Sequence, residues 1–93
     1  MKKFTEKKSE SSDWVEKDSL TKKFEFDDFK QALDFINKIS EESEKLNHHP
    51  DINWNYNKIE IKLKTHDKNK ITELDHKLSK KIDKIYTKFQ KDE

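Results

Sequence analysis

The chain has 93 residues, of which 29% are hydrophobic and 44% charged, with no cysteine, no glycine and a single proline. That length suits one domain with a modest core, and the lack of cysteine excludes disulfides and thiolate metal sites. The 21 basic residues, all lysine, are interleaved with 20 acidic ones to a net charge of +1, so there is no one-signed face for a phosphate backbone and direct nucleic-acid binding is not expected.

No apolar run approaches a membrane span, and Met1 to Ser12 lacks the apolar core of a secretory signal, so a soluble cytoplasmic protein without a membrane role is expected. A composition this polar leans toward disorder. The apolar residues nevertheless recur at helix and strand spacings, which argues for a folded domain with a charged exterior.

Residues 1–13 are rich in Lys, Ser and Glu and read as a polar tail or a weak first helix, with a single domain over residues 14–90. Trp14-Val15-Glu16 and Leu20 to Phe26 read as two strands joined around Lys17-Asp18-Ser19, the second placing Leu20, Phe24 and Phe26 on one face. Asp27 is the expected N-cap of a helix, with Asp28 in its first turn and an apolar stripe of Phe29, Ala32, Leu33, Ile36, Ile39 and Leu46. That helix must stop near Asn47, because His49 precedes Pro50 and a residue before proline is pushed out of helical geometry. Ile52 to Tyr56 and Ile59 to Leu63 alternate, and a two-residue turn at Asn57-Lys58 would pair Tyr56 with Ile59, Trp54 with Ile61 and Ile52 with Leu63 on one packed face. Thr65 continues that face and His66 falls on the other. Thr72-Glu73-Leu74-Asp75 resembles a capping box that starts a second helix with Leu74, Leu78, Ile82, Ile85 and Phe89 inward. The order β-β-α-β-β-α predicts an α+β fold, a four-stranded antiparallel sheet with both helices on one face.

The chemistry concentrates in His48-His49-Pro50 and Thr65-His66. A free imidazole titrates near about 6.5 and so exchanges protons at neutrality with little tuning. Taken one at a time, each histidine in so polar a chain is more simply a surface residue, and His76, off the apolar stripe, is expected to be one. The joint spacing with Pro50, Tyr56, Thr65 and Asp75 reverses that reading for the other three. Adjacent residues in extended chain point apart, so His48 and His49 are not expected to face one reacting atom. Metal binding is not expected either, since an adjacent pair lacks the i, i+4 spacing that sets two ligands on one helical face.

Glu44-x-x-Asn47-His48-His49-Pro50-Asp51, Tyr56-Asn57, Leu63-x-Thr65-His66-Asp67 and Thr72-x-x-Asp75 follow one another as in the pterin-4a-carbinolamine dehydratases, which the chain resembles from about Trp14 to Ile85. The resemblance implies loss of water from a 4a-hydroxytetrahydropterin to give quinonoid dihydropterin, in tetrahydrobiopterin recycling, with no metal or other cofactor. It implies catalytic roles for His48, His49 and His66: His49 and His66 transfer protons on the two faces of the pterin and His48 lines the site. Glu44, Pro50, Lys64, Thr65 and Asp75 are implied at the substrate, Lys64 and Thr65 through backbone groups, while Glu44 and Asp75 either orient imidazoles or are solvated carboxylates. Trp54 and Tyr56 read as packing. Two departures from the family stand out: Asn69-Lys70 where a glycine pair is common, and Asp51-Ile52 where an acidic-aromatic pair is common. Relatives in animals also act as dimerisation cofactors of a transcription factor, so a non-catalytic interaction module is the alternative. Self-association as a homodimer or homotetramer is expected in either case.

Overall fold

The computed structural model describes residues 14–90; the stretch 1–13, read above as a tail or weak helix, lies outside the described residues. The elements are β1 (Val15–Glu16), β2 (Leu20–Glu25), α1 (Phe29–Leu46), β3 (Asp51–Asn55), β4 (Lys58–Leu63) and α2 (Glu73–Gln90). All pairings are antiparallel and the strands lie in the order β1-β2-β4-β3. The expected α+β fold is therefore the observed one.

The inner face of the sheet follows from alternation. Leu20 and Phe24 of β2 stand opposite Leu63 and Ile59 of β4, and all four are buried. On the outer face Lys23 pairs with Glu60 and Glu25 with Lys58, opposite charges that favour this register and keep the uncovered side wet.

Asp28, one residue later than expected, is the N-cap of α1; its carboxylate accepts from the Gln31 amide at 2.9 Å. The buried row of α1 is Ala32, Phe35, Ile39 and Ser43. This corrects the expected stripe: Phe29 is 49% exposed, and Phe35 is the centre of the helix's contact. The Phe35 ring lies 5.1 Å from Phe24 and 4.8 Å from Phe26. Burying a side chain of this size contributes roughly 1.5–3 kcal/mol, and truncation to Ala would cost about 3–5 kcal/mol with its cavity.

In α2 the inward row is Asp75, Leu78 and Ile82, each fully buried, with Ile85, Tyr86 and Phe89 packed partly against the core. Leu74, expected inward, is exposed; the start of the helix turns Asp75 to the core instead. Burial pushes the Tyr86 phenol above its usual range, and its hydroxyl donates to the Glu25 carbonyl at 3.1 Å.

The second hairpin forms in a different register from the expected one. Trp54 pairs with Ile59, Ile52 with Ile61 and Asp51 with Lys62, so the turn is Tyr56-Asn57. Tyr56 takes a left-handed backbone with φ 54° and is 61% exposed, so it is not packing. Trp54 keeps a half-buried position beside Phe29, ring centres 4.6 Å apart. β3 is a sheet edge, and its Ile52 is also exposed.

Candidate active site

The C-terminus of α1 sets the direction of the two histidines. Asn47 takes a left-handed conformation, φ 52°, its N–H donating to the Glu44 carbonyl at 3.1 Å while the His48 N–H donates to the Ser43 carbonyl at 3.0 Å. This pair of bonds is a Schellman motif, with Asn in the place glycine usually takes. It folds His48 back toward the start of α2 and leaves His49, ahead of Pro50, pointing to solvent.

His48 Nε2 lies 2.5 Å from Asp75 Oδ1, with the histidine side chain 10% exposed and the carboxylate fully buried. Asp75 Oδ2 accepts the Thr65 hydroxyl at 2.9 Å and the Thr72 backbone N–H at 2.8 Å. The second of these is half of the capping box read from the sequence: the residue at the third helical position bonds back to the N-cap amide. Thr65 and Thr72 share a hydroxyl contact of 2.6 Å. Because Thr65 gives its hydrogen to the carboxylate, Thr72 is the donor there. Burial alone would raise the Asp75 pKa. Hydrogen bonds from His48, Thr72 and Thr65 outweigh it and hold the carboxyl below the usual Asp value.

The loop after β4 is closed by Thr65 and Lys70, whose backbones exchange bonds of 2.9 and 3.3 Å. Asn69 supplies the left-handed turn, φ 54°, so one asparagine does the work of the missing glycine pair and Lys70 escapes that conformation. The loop presents His66 on the surface, its Nε2 3.7 Å from Asp51 Oδ2. His49 Nε2 stands 2.7 Å from Glu44 Oε2, both side chains exposed.

Each of the three histidines thus faces one carboxylate, in a series from closed to open: His48 with Asp75, His49 with Glu44, His66 with Asp51. Bonds between α1, β3, the loop and α2 bring these residues to one end of the molecule. Glu44 partners His49 rather than His48, because the Schellman turn swings His48 off the helix surface. Pro50 is half-buried beside them. Lys64 instead lines an open cleft of about 410 Å³ with Lys17, Asp18 and Lys70, between the β1-β2 turn and the loop. Sequence reasoning missed Asp51 and Thr72 as members of the group; Asp51 follows His49 by two residues and begins the strand beside which His66 emerges, which is the signal that would have found it. Among the described residues no three His, Asp or Glu side chains converge closely enough to hold a metal ion.

Comparison with known proteins places the chain among its relatives. Residues 1–85 match the model of the family described as pterin 4 alpha carbinolamine dehydratase. A protein of Sulfurisphaera tokodaii, provisionally named a pterin-4-alpha-carbinolamine dehydratase, is 43% identical over 94% of this chain and all of its own length. A relative in Saccharolobus islandicus with the same provisional name is 45% identical over 72% of this chain and 68% of its own. Among solved structures, a transcriptional coactivator/pterin dehydratase from Brucella melitensis superposes with a TM-score of 0.72 at 38% identity, covering 74% of this chain and 73% of that one. A pterin dehydratase-like RuBisCO assembly factor of the alpha-carboxysome shares the fold at a TM-score of 0.66 and 23% identity, covering 78% of this chain and 88% of its own. With a family model matched from residue 1 to 85 and relatives above 40% identity over most of the chain, this protein belongs to the pterin-4-alpha-carbinolamine dehydratase family.

Proposed function

We propose that the protein is a dehydratase that removes water from a 4a-hydroxytetrahydropterin, in tetrahydrobiopterin recycling. In that reaction the C4a–O bond breaks as the hydroxyl takes a proton and leaves as water. N5 gives up its proton, and its electron pair closes the C4a=N5 bond of quinonoid dihydropterin. One acid and one base suffice, and the oxidation level does not change. The observation that carries the reading is the set of three histidine–carboxylate pairs at one end of the sheet. His49 and His66 are the proton-transfer groups in this proposal, and His48 lines the site. Glu44 and Asp75 hold two of the imidazoles, and Pro50 and Thr65 bound the space around the pterin; Lys64, which lines the cleft beside the β1-β2 turn, has no part in it.

The test is dehydration of freshly generated 4a-hydroxytetrahydropterin, followed by ultraviolet absorbance. Positioned acid or base groups contribute about 10²–10⁴-fold each, so His49→Ala and His66→Ala are expected to lose at least about 100-fold with unchanged circular dichroism. No acceleration by the parent protein over the spontaneous reaction would overturn the reading.

A second reading is a docking module. It draws on the exposed Phe29, Ile52 and Tyr56, and on the coactivator named among the similar structures. A module that only docks would keep its function when His48, His49 and His66 are each replaced. Pairing of subunits along the open edge of β3 is compatible with both readings and is measured by light scattering.

A further inference from the structure

The Asp75 carboxylate is saturated from within the protein. Oδ1 is taken by His48 and Oδ2 by the Thr65 hydroxyl and the Thr72 amide, and the side chain has no exposed surface. A ligand therefore has no route to it. An ionised carboxylate only accepts hydrogen bonds, so the imidazole nitrogen 2.5 Å away carries a hydrogen. A neutral imidazole has a single N–H, which leaves the lone pair on Nδ1. Nδ1 has no partner among the described residues. It is also not among the buried unpaired atoms, where Ser43 Oγ alone appears; the tenth of the His48 side chain that stays open includes it.

Resting on the dehydratase reading, we infer that Asp75 is a positioning residue that fixes His48 in its Nε2–H form, so that Nδ1 meets the pterin as a proton acceptor. Both ends of His48 are then held: the backbone by its Schellman bond to the Ser43 carbonyl, the ring by a carboxylate that two threonines hold in turn. The hydroxyl of Thr72 donates to Thr65, that of Thr65 to Asp75, and Asp75 receives the imidazole N–H. The donors converge on Asp75, whose carboxylate can only accept, and Nε2–H is the tautomer that fits.

Asp75→Asn tests the assignment. Its amide oxygen would take over the Thr65 and Thr72 bonds, leaving an NH₂ group toward His48. That group needs a lone pair on Nε2, so the ring hydrogen moves to Nδ1 and the acceptor is lost. In the full chain, long-range ¹⁵N–¹H correlation spectra are expected to show Nε2–H in the parent and Nδ1–H in Asp75→Asn. The variant's kcat is expected to fall about 100-fold or more while KM changes by less than about threefold. His48→Gln supplies a second arm that does not depend on Asp75→Asn folding. Gln places an N–H where Nε2 stood, which keeps the bond to Asp75 and the fold, and puts nothing where Nδ1 stood; its kcat is expected to fall as far. An Nδ1–H parent spectrum overturns the proposal. So does kcat retained within about threefold in either folded variant. A parent without turnover overturns the dehydratase reading instead, and the ring-nitrogen spectra then decide by themselves whether Asp75 sets the tautomer.

Discussion

Asn57 and Phe26 hold each other through two hydrogen bonds: the Phe26 amide donates to the Asn57 carbonyl at 2.9 Å, and the Asn57 side chain donates to the Phe26 carbonyl at 2.7 Å. The end of β2 thereby pins the β3-β4 turn. Asn57→Ala keeps the first bond and loses the second, with an expected cost of about 1 kcal/mol. The shift in urea midpoint measures it; an unchanged midpoint would show that the turn holds its register by itself.

Lys22 lies on the inner face of β2, opposite Ile61, and its ammonium meets Asp83 of α2 at 2.8 Å with its side chain only 13% exposed. The Trp14 indole N–H donates to the same carboxylate at 3.0 and 3.1 Å. Asp83→Ala removes the carboxylate that the Lys22 ammonium and the Trp14 indole N–H share, so a loss of about 2 kcal/mol is expected. Lys22→Met with Asp83→Leu, which removes both charges, is expected to recover much of it. Thermal denaturation of the single and double variants makes the comparison.

The pH dependence of stability follows from Asp75. Its carboxyl is held below the usual Asp value in the native state, so the native state binds this proton less readily than the unfolded chain. The contribution is full above about pH 4, the ordinary Asp range, and is lost as pH falls through the lower native value. Asp75→Asn is expected to be less stable than the parent at pH 6 by about 2 kcal/mol. The gap should narrow below about pH 4. Urea titrations at pH 6 and pH 3 give both values, and a gap that stays constant would show that the carboxyl is not held down.

Ser43 is buried in the inward row of α1, and its hydroxyl has no hydrogen-bond partner among the described residues. Ser43→Ala removes an unpaired polar atom and gains helix propensity, so the variant is expected to be more stable by about 0.5–1 kcal/mol. A loss of stability would mean that the hydroxyl finds a partner in solution.

How far the sequence could be read depended on whether local pattern or distant contact made the decision. Ile59, Ile61 and Leu63 alternate, and that alternation alone gave β4 and its inward face. The turn before it was misread because Tyr56 is a good strand former, while the bonds that place the turn come from Phe26, 31 residues away from Asn57. Phe35 escaped the expected stripe for a related reason: Phe29 widened the apolar sector toward the exposed N-terminus of α1, whereas the sheet and Tyr86 meet the helix one position around. At the site, the histidines were legible by residue type and spacing and the end of α1 by Pro50. The pairing of Glu44 with His49 was not, since it depends on the left-handed turn at Asn47. Asp75 was legible as a motif position, but its burial and its three donors were not.

The absence of glycine has an energetic consequence of its own. The three left-handed positions among the described residues are Asn47, Tyr56 and Asn69, two of them flanking the histidines. Glycine would adopt the same backbone there with less strain, but it would also give the denatured ensemble many more conformations to lose on folding. With asparagine, part of the entropic cost of shaping the turns around His48 and His66 falls on the disordered chain, whose freedom is already narrowed before either turn forms.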